Sequence, residues 1–328
     1  MEHELRSPDG VAFGGGQAIL KLTRGWATAS DPRKDGVAAG NEEPVSDPDF
    51  VIPFDRLPHN FADSIEDPPA VPAAPRPAAT IVLLRDAAES MELLLMRRSR
   101  SAGFVPGAYV FPGGRVDGAD AMPAVIERLD GLTVQSAETR LELPDAEPPA
   151  IAYYLAALRE AFEETGILVG IRLDGSAPPT AAEDEGVDQI RDQLMSDDVS
   201  FADAISRLQC RIAGDAIEYI AHWITPLPEP RRYDTRFFAA KVRPGSTPIA
   251  DPREMTDAVW IAPQEALDRC DAGDLPMVFP TIKTIEQLAK YERADDALSG
   301  FAGEPVRTIL PTLVITPKGV GVEIDEDA

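Results

Sequence analysis

Three glutamates within five consecutive residues constrain this chain more than any other feature. Glu160, Glu163 and Glu164 lie in the run Arg159-Glu160-Ala161-Phe162-Glu163-Glu164-Thr165-Gly166-Ile167. At i, i+3 and i+4 they share one helical face within about 100° of arc. Like charges so placed destabilise a helix by roughly 0.2–0.5 kcal/mol per pair. A soluble helix avoids that arrangement unless something cationic sits over it. Divalent magnesium meets the need, because a few carboxylates hold it and it keeps open positions for substrate phosphates. The run therefore points to metal-assisted chemistry on a phosphorylated compound.

The surrounding residues predict a helix. Ile151, Leu155, Leu158 and Phe162 recur at helical spacing, and Phe162 lies about 200° round from Glu160. One face is expected to bury and the other to present Glu160, Glu163 and Glu164. Pro148 and Pro149 stand where proline suits a helix start, and Gly166 where a helix ends left-handed. Arg159, one turn from Glu163, partly neutralises it. A solvated acidic face is the ordinary alternative. Arg159, Gly166 and the upstream turn Phe111-Pro112-Gly113-Gly114 weigh against it.

With these residues in view, the chain resembles the Nudix hydrolases. Arg159, Glu160, Ala161, Glu163, Glu164, Gly166 and Ile167 match the second half of their signature. The first half is similar to Gly113-Gly114-Arg115-Val116-Asp117-Gly118-Ala119-Asp120, with Asp120 where the family has glutamate. Between the halves the family has seven residues, whereas here Ala121 to Leu158 intervene. Such a split box resembles the subgroup that includes the mammalian peroxisomal coenzyme A diphosphatase. Leu94-Leu95-Met96-Arg97-Arg98-Ser99, leading through Gly107 to the Phe-Pro-Gly-Gly turn, is similar to the coenzyme A motif before the box. Met96 and Gly103 stand there for a threonine and an arginine. Trp223-Ile224-Thr225-Pro226 and Arg232-Tyr233-Asp234-Thr235-Arg236-Phe237-Phe238 also look like that subgroup. The resemblance runs from about Ala78 to Leu288. It implies an α+β fold, an α/β/α sandwich around a mixed sheet.

Composition narrows the partners. The formal net charge of −25 argues against a nucleic-acid backbone. An anionic substrate then needs metal ions and local Arg or Lys. Cys210 and Cys270 are the only cysteines, which fits free thiols in a reducing compartment, with the cytoplasm expected. No apolar run is long enough to span a bilayer. Met1-Glu2-His3-Glu4-Leu5 lacks a secretory pattern, and Asp325-Glu326-Asp327-Ala328 is not a peroxisomal signal.

Three parts are expected along the chain. Residues 1–75 are rich in Pro, Asp, Gly and Ala and read as a mobile extension, with Phe50-Val51-Ile52-Pro53-Phe54 able to dock on the core. Residues 76–290 form the Nudix domain, with insertions at 121–150 and 170–218. Residues 291–328 form a hairpin, turning at Lys318-Gly319, and a tail. Strands are predicted at Thr80–Leu84 and Glu92–Met96, joined as a hairpin, and at Tyr109–Phe111, Ala221–Ile224, Thr235–Val242 and Ala258–Ile261. The 121–150 insertion carries a short helix, and Val187–Ile220 reads as mostly helical, a cap over the cleft. Helices are also predicted from Pro263 and over Phe279–Tyr291.

The resemblance implies roles residue by residue. Glu160, Glu163 and Glu164 are the expected ligands of magnesium or manganese, with the Gly113 carbonyl completing the site. Arg159 orients the glutamates. A general base takes the proton of the attacking water; a box glutamate fits, as does Glu254 ahead of Trp260, with Asp251 second. Arg97, Arg98 and Arg232 are the expected phosphate contacts. His222 is expected to be structural. The expected partner is a small nucleoside diphosphate derivative, most directly coenzyme A or an acyl-coenzyme A. ADP-ribose or a dinucleotide is the enzymatic alternative, and a ligand-sensing Nudix module the non-enzymatic one. Three retained, repelling carboxylates argue against the sensor.

Overall fold

A computed structural model of the chain describes residues 48, 50–54, 57, 61–100, 106–251 and 254–325. Strand β1 (Phe50–Pro53) and helix α1 (Phe61–Glu66) come first. A hairpin follows, β2 (Arg76–Asp86) and β3 (Met91–Arg98), then β4 (Tyr109–Val110) and β5 (Gly113–Arg115). The first insertion holds α2 (Pro123–Ile126), β6 (Leu129–Asp130) and α3 (Val134–Leu141). The long helix α4 (Ala150–Thr165) carries the glutamates. The second insertion holds β7 (Gly170–Arg172), α5 (Glu185–Met195), α6 (Phe201–Arg207) and β8 (Cys210–Ala213). Strands β9 (Ile217–Ile224), β10 (Tyr233–Lys241) and β11 (Met255–Ile261) complete the central sheet. Helices α7 (Pro263–Asp271), α8 (Phe279–Leu288) and α9 (Ala294–Phe301) lead to β12 (Thr308–Ile309), β13 (Thr312–Thr316) and β14 (Gly319–Glu323).

The central sheet runs β11-β3-β2-β10-β9-β12, with β4 on β3 and β5 on β2. It is mixed: β2 is antiparallel to β3 and parallel to β10. Its inner strands are buried on both faces, so they read as continuous apolar runs. Ile81, Leu83, Leu94 and Met96 point into a core with α4, whereas Val82, Leu84, Leu93 and Leu95 point into a second core with α7, α8 and α9. Two helical layers thus cover one sheet, the expected α/β/α sandwich. Tyr154 and Phe238 meet across the first core at 4.5 Å between ring centroids.

The insertions are built together. β6 from the first pairs parallel with β8 from the second, and β7 closes a three-stranded sheet. The mostly helical reading of Val187–Ile220 holds only as far as Arg207. Beyond it Cys210 and Ile212 alternate with half-buried neighbours, the period of a strand. The two helices are not a free-standing cap: α5 packs on α4, and its Val187 and Leu194 join the first core.

The N-terminal expectation falls mainly on residues outside the described ones. Phe50–Pro53 does dock, adding a strand to the β13–β14 hairpin, and Phe50 lies 5.3 Å from Phe279. The β13–β14 turn comes where expected, between Thr316 and Gly319. No helix among the described residues is long and apolar enough to cross a membrane. Cys210 and Cys270 are buried, and neither forms a disulfide among the described residues.

Candidate active site

The site begins with the way α4 is held. It starts after Pro149 and stops at Gly166, whose φ of +68° is the left-handed conformation favoured by glycine. A Cβ at Gly166 would come 2.6 Å from the Ala181 Cβ, so size and conformation both favour glycine. Nearly the whole circumference of the helix is buried, and only Arg159, Glu160 and Glu163 are half-buried. The expected division into an apolar and an acidic face therefore needs correction: Glu164 is inside, 8% exposed. Its Oε2 accepts the Gly113 N–H at 3.1 Å.

Arg159 organises the rest. Its Nε and Nη2 donate to the two oxygens of Asp120, at 2.8 and 3.1 Å. Its Nη1 donates to Glu160 Oε1 at 3.0 Å and Glu163 Oε2 at 2.9 Å, and Nη2 also reaches the Arg115 carbonyl at 3.1 Å. Asp120, read from sequence as a departure, is the buried anchor of this guanidinium. The Asp117 N–H fixes the second Asp120 oxygen at 2.9 Å. The fork matches a carboxylate of either length, so the shorter acid still makes the two-point contact. The split box is rejoined in space through this pair, 39 residues apart in sequence.

Electrostatics follow from the crowding. Burial pushes the Glu163 carboxyl up to about 7, with Arg159 opposing and Glu160 adding to the rise. Burial also raises Glu160, against the pull of Arg159. Burial, then the Glu160 charge, holds Glu164 well above its ordinary value, with the Gly113 N–H opposing. Burial alone would lower Arg159, but the Asp120 hydrogen bond and the surrounding carboxylates hold it above its usual value. Arg159, with Arg98 acting on Glu164, is too little positive charge for the carboxylates of Asp120, Glu160, Glu163 and Glu164.

The donor set suits a hard divalent cation, although no group of three acidic, His or Cys side chains among the described residues stands in ready ligand geometry. Arg159 and Gly113 each take only one oxygen per glutamate. Glu160 Oε2, Glu163 Oε1 and Glu164 Oε1 have no hydrogen-bond partner among the described residues. Three oxygens and a nearby glycine backbone are what such a cation coordinates. Gly114 keeps the approach close: a Cβ there would fall 2.3 Å from Glu160 Oε1. Gly114→Ala is therefore expected to displace the Glu160 carboxylate, the end of a flexible chain, with little loss of stability. A misplacement approaching 1 Å lowers kcat/KM by up to about 10²-fold. Steady-state kinetics beside a thermal melt check this; unchanged kcat/KM would show that Glu160 need not stand where it does.

The other expected site residues separate. Strand alternation puts Arg98 and Arg97 on opposite faces of β3. Arg98 acts on Glu164, as does the carboxylate of Glu254. Arg97 instead lies over the Tyr109 ring at 5.7 Å, on the side of the second core. Arg97 thus stands on the face of β3 away from Glu164. Arg232 is 7% exposed and donates to the carbonyls of Thr225 and Ala73, at 2.9 and 2.8 Å. It braces the chain after β9 against the chain entering β2. Glu254 is exposed at the start of β11, and its carbonyl accepts the Ser99 N–H at 2.7 Å. His222 is buried between Asp234 and Thr308. Sequence reading missed Arg191, on α5, which donates to the Glu163 carbonyl at 2.8 Å and so caps the end of α4. No local signal marks it, because its partners lie on other elements.

Comparison with known proteins gives a consistent picture. The family model described as the NUDT19 Nudix domain matches residues 69–288. The human acyl-coenzyme A diphosphatase NUDT19 is 28% identical over 265 residues, covering 71% of this chain and 70% of that protein. The Gallus gallus protein of the same name is 28% identical over 238 residues, covering 62% of this chain and 63% of its own length. A NUDIX hydrolase crystal structure from Alicyclobacillus acidocaldarius superposes with a TM-score of 0.59 at 28% identity, over 71% of this chain and 99% of that one.

Proposed function

This chain belongs to the NUDT19 Nudix family and is a Nudix hydrolase, and from that premise we propose that it cleaves the diphosphate of coenzyme A or an acyl-coenzyme A. The products are adenosine 3′,5′-bisphosphate and 4′-phosphopantetheine or its acyl form. The observation that carries the reading is the trio on α4, with one carboxylate oxygen left on each glutamate. The name of the human relative supplies the substrate class.

Nudix hydrolases generally use divalent metals. Glu160, Glu163, Glu164 and the Gly113 carbonyl are the residues that hold magnesium or manganese in this reading. When bound, that ion neutralises phosphate charge and lowers the pKa of a water molecule. The protein does the rest. Arg159 fixes Glu160 and Glu163, and the Gly113 N–H fixes Glu164, so the carboxylates need little reorganisation. Arg98 faces the diphosphate from β3. The water oxygen bonds to phosphorus while the bond from that phosphorus to the bridging oxygen breaks. Glu254 accepts the water proton as general base, and the second phosphate leaves with the bridging oxygen.

The test is turnover of coenzyme A with magnesium, followed by mass spectrometry, for the native protein beside Glu163→Gln. Release of 4′-phosphopantetheine by the native protein, with at least about a 10²-fold loss in the variant, is the expected result. Cleavage of ADP-ribose or a dinucleotide with coenzyme A left intact would overturn the substrate. Equal rates for the two proteins would overturn the site.

A further inference from the structure

Arg191, on α5 of the second insertion, is 3% exposed. A guanidinium so far out of water is costly unless its donors are met. Nε donates to the Glu163 carbonyl at 2.8 Å, Nη2 to the Ile249 carbonyl at 3.4 Å and Nη1 to Asp188 Oδ1 at 3.4 Å. Two of its three nitrogens thus reach backbone on other elements.

Both carbonyls stand at telling places. The last carbonyls of a helix have no intrahelical partner. On α4 the Glu163 carbonyl is met by Arg191, and the Thr165 carbonyl accepts the Ile249 N–H at 2.8 Å. Ile249 therefore spends both backbone groups on the end of α4, its N–H directly and its carbonyl through Arg191. Its side chain packs against the first core. From Ile249 the chain soon reaches Glu254. The Asp251 carbonyl accepts the N–H groups of Glu254 and Met255, at 3.1 and 2.7 Å. The Ser99 N–H holds the Glu254 carbonyl at 2.7 Å. The Glu254 charge bears on Glu164. Ser99 ties this turn to β3, whereas Ile249 ties it to the helical turn that carries Glu163 and Glu164. Capping α4 needs one donor, which a lysine supplies. A planar fork that reaches two carbonyls from separate elements also joins them.

We propose that Arg191 is a positioning residue: by joining the Glu163 and Ile249 carbonyls it sets Glu254 against the box glutamates. The assignment rests on the reading of Glu254 as general base. It gives the second insertion a part in the reaction, because α5 carries the joint.

Arg191→Met is expected to lower kcat for coenzyme A at least about tenfold, since a group displaced by about 1 Å costs up to about 10²-fold. KM is expected to stay within about twofold. Arg191→Lys keeps a charge at the helix end and is expected to restore the thermal melt but not kcat. If kcat follows the melt in both variants, the arginine is merely structural and the proposal is overturned. In a Glu254→Gln background, Arg191→Met is expected to change kcat by less than about twofold. Losses that multiply overturn the positioning role, and a Glu254→Gln protein as fast as the native overturns the base itself. Hydrogen exchange in metal-free protein reads the joint without turnover. Residues 246–251 are expected to exchange at least about tenfold faster in both Arg191 variants, with β2 unchanged. Native-like exchange overturns the joint. Intact coenzyme A beside fast exchange overturns the substrate alone.

Discussion

Glu164→Gln is expected to abolish turnover and leave the fold intact. The carboxylate is 8% exposed and is the member of the trio held by the Gly113 N–H. A glutamine oxygen still accepts that bond but brings no charge. On the proposed reading Glu164 holds the metal, and losing such a ligand removes several kcal/mol of transition-state stabilisation, about 10³-fold in kcat. Stability moves the other way in metal-free protein. Burial raises the Glu164 carboxyl above its ordinary value, so the folded state favours the protonated acid. For a group raised in this way, stability is fully present below its unfolded pKa near 4.3 and is lost as pH rises through the folded value. At pH 8 the metal-free variant is therefore expected to melt above the native protein, and near pH 4 the two should coincide. A chelator-treated thermal melt at both pH values, beside single-turnover kinetics, reads both effects. Retained turnover in Glu164→Gln would remove this residue from the reaction.

Arg159→Met is expected to lower both activity and stability. The native guanidinium contacts Asp120, Glu160 and Glu163, and the Asp120 side chain is 1% exposed. Removing one partner of a buried pair leaves an uncompensated charge, at roughly 3–5 kcal/mol. Glu160 and Glu163 also lose their nearest cation, so activity falls as they separate or protonate. Arg159→Lys returns the charge without the two-pronged contact to Asp120 and is expected to recover part of the stability and less of the activity. Urea denaturation of the three proteins gives the comparison. A loss below about 1 kcal/mol in the methionine variant, the range of an exposed pair, would show that Asp120 is not the anchor.

The two arginines expected together at the substrate show where linear reading stops. Arg97 and Arg98 are neighbours in sequence, yet β3 places them on opposite faces. Leu93 to Met96 read as a strand, but both faces of it are buried, so the continuous apolar run does not tell which side α4 covers. Arg232 sat in a basic run that looks like a phosphate contact. The carbonyls of Thr225 and Ala73 that occupy it come from a turn and from a strand entry 159 residues away. Residues 210–220 read as helix because Leu208 and Ile212 continue a helical spacing. Pairing with β6 and β7 decides otherwise.

What the sequence determined by itself is local and periodic. Helix α4, its stop at Gly166, the crowded trio, the hairpin of β2 and β3, and the sandwich around a mixed sheet all follow from spacing, from turn chemistry and from the resemblance those residues carry. What the tertiary structure alone decided is which distant groups meet. It buried Glu164, turned Asp120 from a departure into the anchor of Arg159 across the insertion, and brought Arg98 and Glu254 to bear on Glu164. The reason is that spacing along a chain fixes the direction of a side chain within its own element, whereas burial, charge pairing and pKa depend on whatever the packing of other elements brings within a few ångströms.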